Sequence, residues 1–140
     1  MTTKREQILQ AITTRLAAVP GVTSVYRSMT EPMQREDALA LCVTWASDRP
    51  GAPGSSWHID RELEVQIGAY ARGDIPDKLA DPLCESAFSL LMGEPTLGGL
   101  AIDIDEGDTS LDLDSADATA GWTTMRFMVR YRTLRSSLTA

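Results

Sequence analysis

The sequence predicts an α+β domain: a largely antiparallel sheet of about four to six strands with two main helices packed on one face. Three observations carry that expectation. Apolar residues recur at helical spacing near the N-terminus and again after Gly73. Elsewhere they alternate with polar ones at the period of a strand. The alternating segments also keep their charges on one side, as in an antiparallel sheet with one solvated face. The 140 residues are the size of one domain, 1–140, able to bury a core without a metal or disulfide staple.

The first helix has Thr3 as cap and Glu6 placed to close a capping box. Ile8, Ile12, Leu16 and Val19 then share one face, and Pro20-Gly21 ends the helix. A core role for this stripe outweighs a partner groove, because an amphipathic helix normally faces its own domain. A short strand, "VTSVYRS", and a polar loop, "MTEPMQRED", follow. In the next strand Leu39, Leu41, Val43 and Trp45 alternate. In the one after, Trp57, Ile59, Leu63, Val65, Ile67 and Ala69 share a face, with Arg61 the exception, while Asp60, Glu62, Glu64 and Gln66 take the other. Between them, "DRPGAPGSS" (48–56) is too long and too rich in Gly, Pro and Ser for a tight hairpin and reads as a mobile arm, with Arg49, Pro50 and Pro53 as docking candidates.

The second helix is expected after Gly73, with Asp74 as cap and Pro76 in its first turn. Pro82 should kink it or restart it. Leu79, Leu83, Ala87, Leu90 and Leu91 form its apolar face, and "GEPTLGG" closes it. The segment 103–117 then gathers Asp103, Asp105, Glu106, Asp108, Asp112, Asp114 and Asp117. In the last strand Met125, Phe127, Val129 and Tyr131 alternate with Arg126, Met128, Arg130 and Arg132. Residues 135–140 read as a frayed tail.

Thirteen basic and 20 acidic residues leave a net charge of −7, which argues against general binding to nucleic-acid phosphates. No stretch is apolar enough to span a membrane, and the charged "MTTKREQILQ" is unlike a signal peptide. Cys42 and Cys84 lie far apart without metal-ligand spacing and read as reduced thiols.

The acidic segment invites three chemical readings. As a calcium loop it fails on ligand order: Gly107 takes the fifth position, Asp108 the sixth, and Asp114 stands where a bidentate glutamate is required. As a catalytic pair it lacks the burial that would push two carboxyl pKa values apart, because Asp103 and Asp105 fall on the side opposite Ile102 and Ile104. The remaining reading is a charged face turned to water or to a neighbour. His58 is the only histidine, and nothing near it supplies a triad. Cys84 shares a face with Phe88 and Leu91 and reads as an inert core thiol. Gly98 and Gly99 precede a strand and make no phosphate loop. The expectation is therefore a protein that is not an enzyme and has no cofactor, no catalytic residues and no metal site.

The pattern of elements resembles the phage tail terminator family (minor tail protein U-like) of long-tailed bacteriophages. The resemblance rests on the N-terminal helix ending at "PGV", the strand "RELEVQIGAYARG", the helix "LADPLCESAFSLLMG", then "LGGLAIDID", an acid-rich connection and "GWTTMRFMVRYRT". It implies a structural virion protein that caps the head-proximal end of the tail tube as a hexameric ring, stops tube growth and presents a surface for head joining. Its implied partners are copies of itself, the tail tube protein and a head–tail connector or neck protein, with genomic DNA passing through unbound. It implies assembly in the host cytoplasm, then a place in the virion tail. A head-completion or neck connector protein is the nearest alternative, and a metal-binding enzyme using the acidic segment a more remote one. In a ring, the acids 103–117 and Arg126, Arg130 and Arg132 would either meet across a subunit boundary or leave the acids lining the hole, repelling DNA.

Overall fold

The computed structural model describes residues 2–22, 24–28, 39–51, 57–113 and 119–140. Pro53, Asp114, Asp117 and the whole of "MTEPMQRED" lie outside the described residues. The elements are α1 (Lys4–Leu16), β1 (Ser24–Arg27), β2 (Leu39–Pro50), β3 (His58–Arg72), α2 (Pro76–Met92), a 3₁₀ turn (Leu97–Gly99), β4 (Asp103–Leu113) and β5 (Ala120–Leu134). The fold is α+β, with two helices and a five-stranded mixed sheet in the order β1-β2-β3-β5-β4. Only β1 and β2 run parallel; the other neighbours are antiparallel.

The strand alternation produces the core. Leu41 and Val43 of β2, Leu63, Val65 and Ile67 of β3, and Met125, Phe127, Val129 and Tyr131 of β5 join one buried cluster. Ile8, Leu9, Ile12 and Leu16 of α1 and Ala80, Leu83, Ala87 and Leu91 of α2 belong to the same cluster. We call this the core side of the sheet. Arg61, the polar exception on that side of β3, donates through Nε to Thr133 Oγ1 at 3.0 Å.

Several local expectations change. Thr3 caps α1, its hydroxyl accepting from the Glu6 N–H at 3.1 Å. The Glu6 carboxylate, however, takes two hydrogen bonds from Arg27 of β1, at 2.9 and 3.0 Å, instead of turning back to the cap. A charged donor pair outcompetes one backbone N–H. The cap of α2 is Ile75, not Asp74, with Pro76 in the first turn. The helix runs through Pro82 without a restart, because its packed face holds the turn despite the missing hydrogen bond.

The arm read at 48–56 does not begin at Asp48, and residues 52–56 lie outside the described residues. Asp48, Arg49 and Pro50 continue β2 and face Leu63, Glu62 and Arg61 of β3. A bulge after Trp45 shifts the register and lets the strand run on. Arg49 and Pro50 therefore sit in the sheet rather than on an arm. The tail read as frayed is also tied down: the Lys4 N–H donates to the Leu138 carbonyl at 2.8 Å, and the Leu134 N–H to that of Ala140 at 2.6 Å. The acidic segment is likewise a strand over residues 103–113, not a connection.

Candidate assembly surfaces

The side of the sheet opposite the core carries two kinds of surface. At one end, small and aromatic residues pack together: Ala40, Cys42, Tyr70 and Ala120 are buried, with Tyr26 and Trp122 against them. The Tyr70 and Trp122 rings stand 5.2 Å apart, tilted by 57°. Trp122 lies over Gly68, where an added Cβ would come within 2.9 Å of the indole. Sequence reasoning missed this cluster. Its signal was the alternation of Gly68 with Tyr70 on β3 and the bulky Trp122 beside Gly121 on β5.

At the other end the same side becomes a charge lattice. The registers align Arg49, Glu62, Arg130 and Asp103 across four strands, alternating in sign. Arg130 holds Asp103 with both arms of its guanidinium, the Nε–Oδ1 distance being 2.7 Å, and approaches Asp105 at 4.0 Å. Arg132 grips Asp60, 2.6 Å from Nε to Oδ1, and this hydrogen-bonded pairing holds the Asp60 carboxyl below its ordinary range. Arg126 donates to Ser110 Oγ at 3.0 Å. These pairs are exposed, so each contributes little to stability, but together they fix the side-chain order of the surface.

The two charged groups read from the sequence therefore do not lie on different edges. Asp103 and Arg130 are cross-strand neighbours within one chain, because β4 follows β5 in the sheet order. Beyond Asp103, the carboxylates of Asp105, Glu106, Asp108 and Asp112 are exposed along β4, an edge strand with one neighbour. Charges on an edge strand discourage uncontrolled pairing with another sheet. A bulge between Glu106 and Thr109 twists the strand there, with Gly107 close against the Arg126 backbone.

Two further features involve buried polarity and open apolar surface. Asp48, whose side chain is only 6% exposed, accepts from the Tyr131 hydroxyl at 2.5 Å and from Arg5 at 3.0 Å. Burial, then the hydrogen bond to Asp48, pushes the Tyr131 hydroxyl pKa well up. Arg5 also lies 4.5 Å over the Trp45 ring, which explains how that indole tolerates partial exposure. Between α2 and the β4–β5 pair, a groove of about 370 Å³ is lined by Cys84, Phe88 and Met125, with Asp81 and Glu85 on α2 and Thr109 and Thr123 on the strands. Burial and then the nearby Asp81 push the Cys84 thiol up to about 11, matching an inert thiol. Both cysteines are free.

Among the described residues no group of three or more His, Cys, Asp or Glu side chains could hold a metal ion. Nor, among them, is any helix long and apolar enough to cross a membrane.

No protein-family model matches the chain, and no curated protein matches it. Among solved structures it is similar to a chain described as part of the virion of a native gene transfer agent particle. That match has a TM-score of 0.65 and 12% sequence identity, and covers 90% of this chain and 95% of the other. The two chains share a fold along nearly their whole lengths.

Proposed function

We propose that this chain is a structural virion protein of the tail terminator kind: a ring that caps the head-proximal end of a phage tail tube, stops polymerisation and offers the surface to which the head joins. The observation that carries this reading is the full-length fold likeness to a chain of a gene transfer agent virion. The charge distribution agrees with it. Carboxylates on the sheet are matched to guanidinium groups or left in water, whereas acid–base catalysis by a carboxylate pair needs burial or a neighbour that sets the two apart. In this reading both helices form one layer on the core side, leaving the charge lattice and the β4 edge for partners.

Ring subunits need two different complementary surfaces. Asp103 is already satisfied within its own chain, so the charge free to meet a neighbour, or to repel passing DNA, is that of Asp105, Glu106, Asp108 and Asp112. Neutralising these four separates the roles. Weakened ring association marks an interface, whereas intact rings with slower DNA exit mark a lumen.

The decisive experiment omits the protein during virion assembly and images the tails. Overlong tails without heads are expected. Normal-length tails beside unattached heads would assign the chain to the neck instead, and normal virions would overturn both assignments.

A further inference from the structure

We infer that Trp57 of one copy seats in the α2–β4 groove of the next copy, forming the head-to-tail contact of the ring proposed above. This inference rests on that ring reading.

The plug is an anomaly of the surface. Trp57 is 75% exposed, the most exposed of the large apolar side chains on the described surface. A tryptophan left in water at the root of a strand is unusual for an isolated domain, and tryptophan is the residue most enriched at binding hot spots. It is held in place, since its carbonyl accepts from the Arg135 N–H at 2.9 Å. That bond pairs the backbones of Trp57 and Arg135, and both residues are exposed, so the corner presents one aromatic and one cationic residue.

The socket has the opposite character. Its floor is apolar, built from Phe88, Met125 and Cys84, and Asp81 and Glu85 stand exposed on its helical wall. Neither acid makes an ion pair among the described residues. Thr109 begins the strand wall, and the alternation carries it on to Leu111 and Leu113, both exposed. Apolar floor and acidic rim complement an exposed indole and an exposed arginine carried on adjoining backbone.

The plug cannot fill its own socket. His58, next to Trp57, pairs with Leu134, whereas the groove is floored by Met125, which pairs with Ile67. Those nine residues of strand β5 span about 30 Å. A plug and socket at separate places on one chain make a heterologous contact, which propagates from copy to copy and closes as a ring when the rotation permits.

Native Cys84 makes the contact testable by cross-linking. In the full-length Trp57→Cys variant, oxidation should give a ladder of covalent multimers running past the dimer, because each chain brings both the new thiol and Cys84. Cys42 is buried and should not compete. Adding Cys84→Ser should abolish the ladder. Products that stop at the dimer, or a ladder that survives Cys84→Ser, would each overturn the inference.

A second arm uses noncovalent association measured by sedimentation. Trp57→Ala, and separately the Asp81→Lys/Glu85→Lys pair, should weaken self-association roughly tenfold to a hundredfold. Arg135→Glu should partly restore binding to the doubly reversed groove. Unchanged association in these variants would overturn the plug while leaving the ring reading intact. Tail length in virions tests that reading separately.

Discussion

β4 and β5 are paired neighbours of similar sequence character, both alternating apolar residues with charge, yet they bury very different amounts. β5 buries seven of its 15 residues, whereas in β4 only Ile104 is buried and residues 105–113 are exposed. The cause is position. β5 lies between β3 and β4, and its core side meets the helices; β4 has one neighbour, and a groove separates its outer half from α2. Alternation thus shows which side of a strand a residue takes. How much of that side becomes dry depends on what stands opposite.

The largest test of the contrast is a pair of truncations. Phe127→Ala in β5 should cost about 3–5 kcal/mol, because a buried ring is replaced by a cavity. Leu111→Ala in β4 should cost no more than about 0.5 kcal/mol. Denaturant unfolding of the two variants measures both, and similar losses would break the distinction.

Next in size comes Asp48, the buried carboxylate at the far end of the sheet. Asp48→Ala should cost about 2–3 kcal/mol, since it strands the buried Tyr131 hydroxyl and removes the Arg5 partner. Asp48→Asn should cost less, because an amide oxygen still accepts. Equal losses in equilibrium unfolding would mean that the charge, rather than the hydrogen bond to Tyr131, holds this corner.

A smaller effect depends on pH. Hydrogen bonds from Thr96, Gly98 and Arg15 hold the Glu94 carboxyl down to about 2, from an ordinary 4.5. A carboxyl lowered in the folded state contributes stability that is present above its unfolded value and is lost as pH falls through the folded one. Glu6 and Asp60 are lowered too, each by an arginine, and act in the same direction. Stability should therefore decline on acidification from about pH 4.5 towards 2. Glu94→Gln should flatten that decline and lower the melting temperature at neutral pH. A variant whose pH profile matches the parent's would remove Glu94 from the account.

The smallest effect belongs to the untethered acids. Asp108→Asn with Asp112→Asn should change stability by no more than about 0.5 kcal/mol, towards stabilisation as like charges are relieved. A thermal melt showing clear destabilisation would mean that these carboxylates are bonded after all. The contrast between tied and free acids on this face would then fail.

Much of the architecture was legible in the sequence because local patterns decide it. The 3.6-residue stripe of Ile8, Ile12 and Leu16, the period-two runs of β3 and β5, and the Thr3 cap all became what their spacing implies. Where expectation and structure part, a distant residue intervened. Arg27 drew Glu6 away from its cap, β3 recruited Asp48 through Pro50 into a strand, and the Lys4 and Leu134 N–H groups fastened the tail. For the candidate surface, the sequence identified Asp103, Asp105, Arg126, Arg130 and Arg132 as one charged set, but strand order decided which of them meet.

By itself, then, the chain determined its element types, the side each strand residue takes and its acidic balance, since each depends on neighbours a few residues away. Only the tertiary structure decided that Asp103 and Arg130 neutralise one another, that the β4 edge stays open and that Trp57 stands in water. Those outcomes depend on which strands become neighbours, and contacts between residues far apart in sequence leave no periodic trace along it.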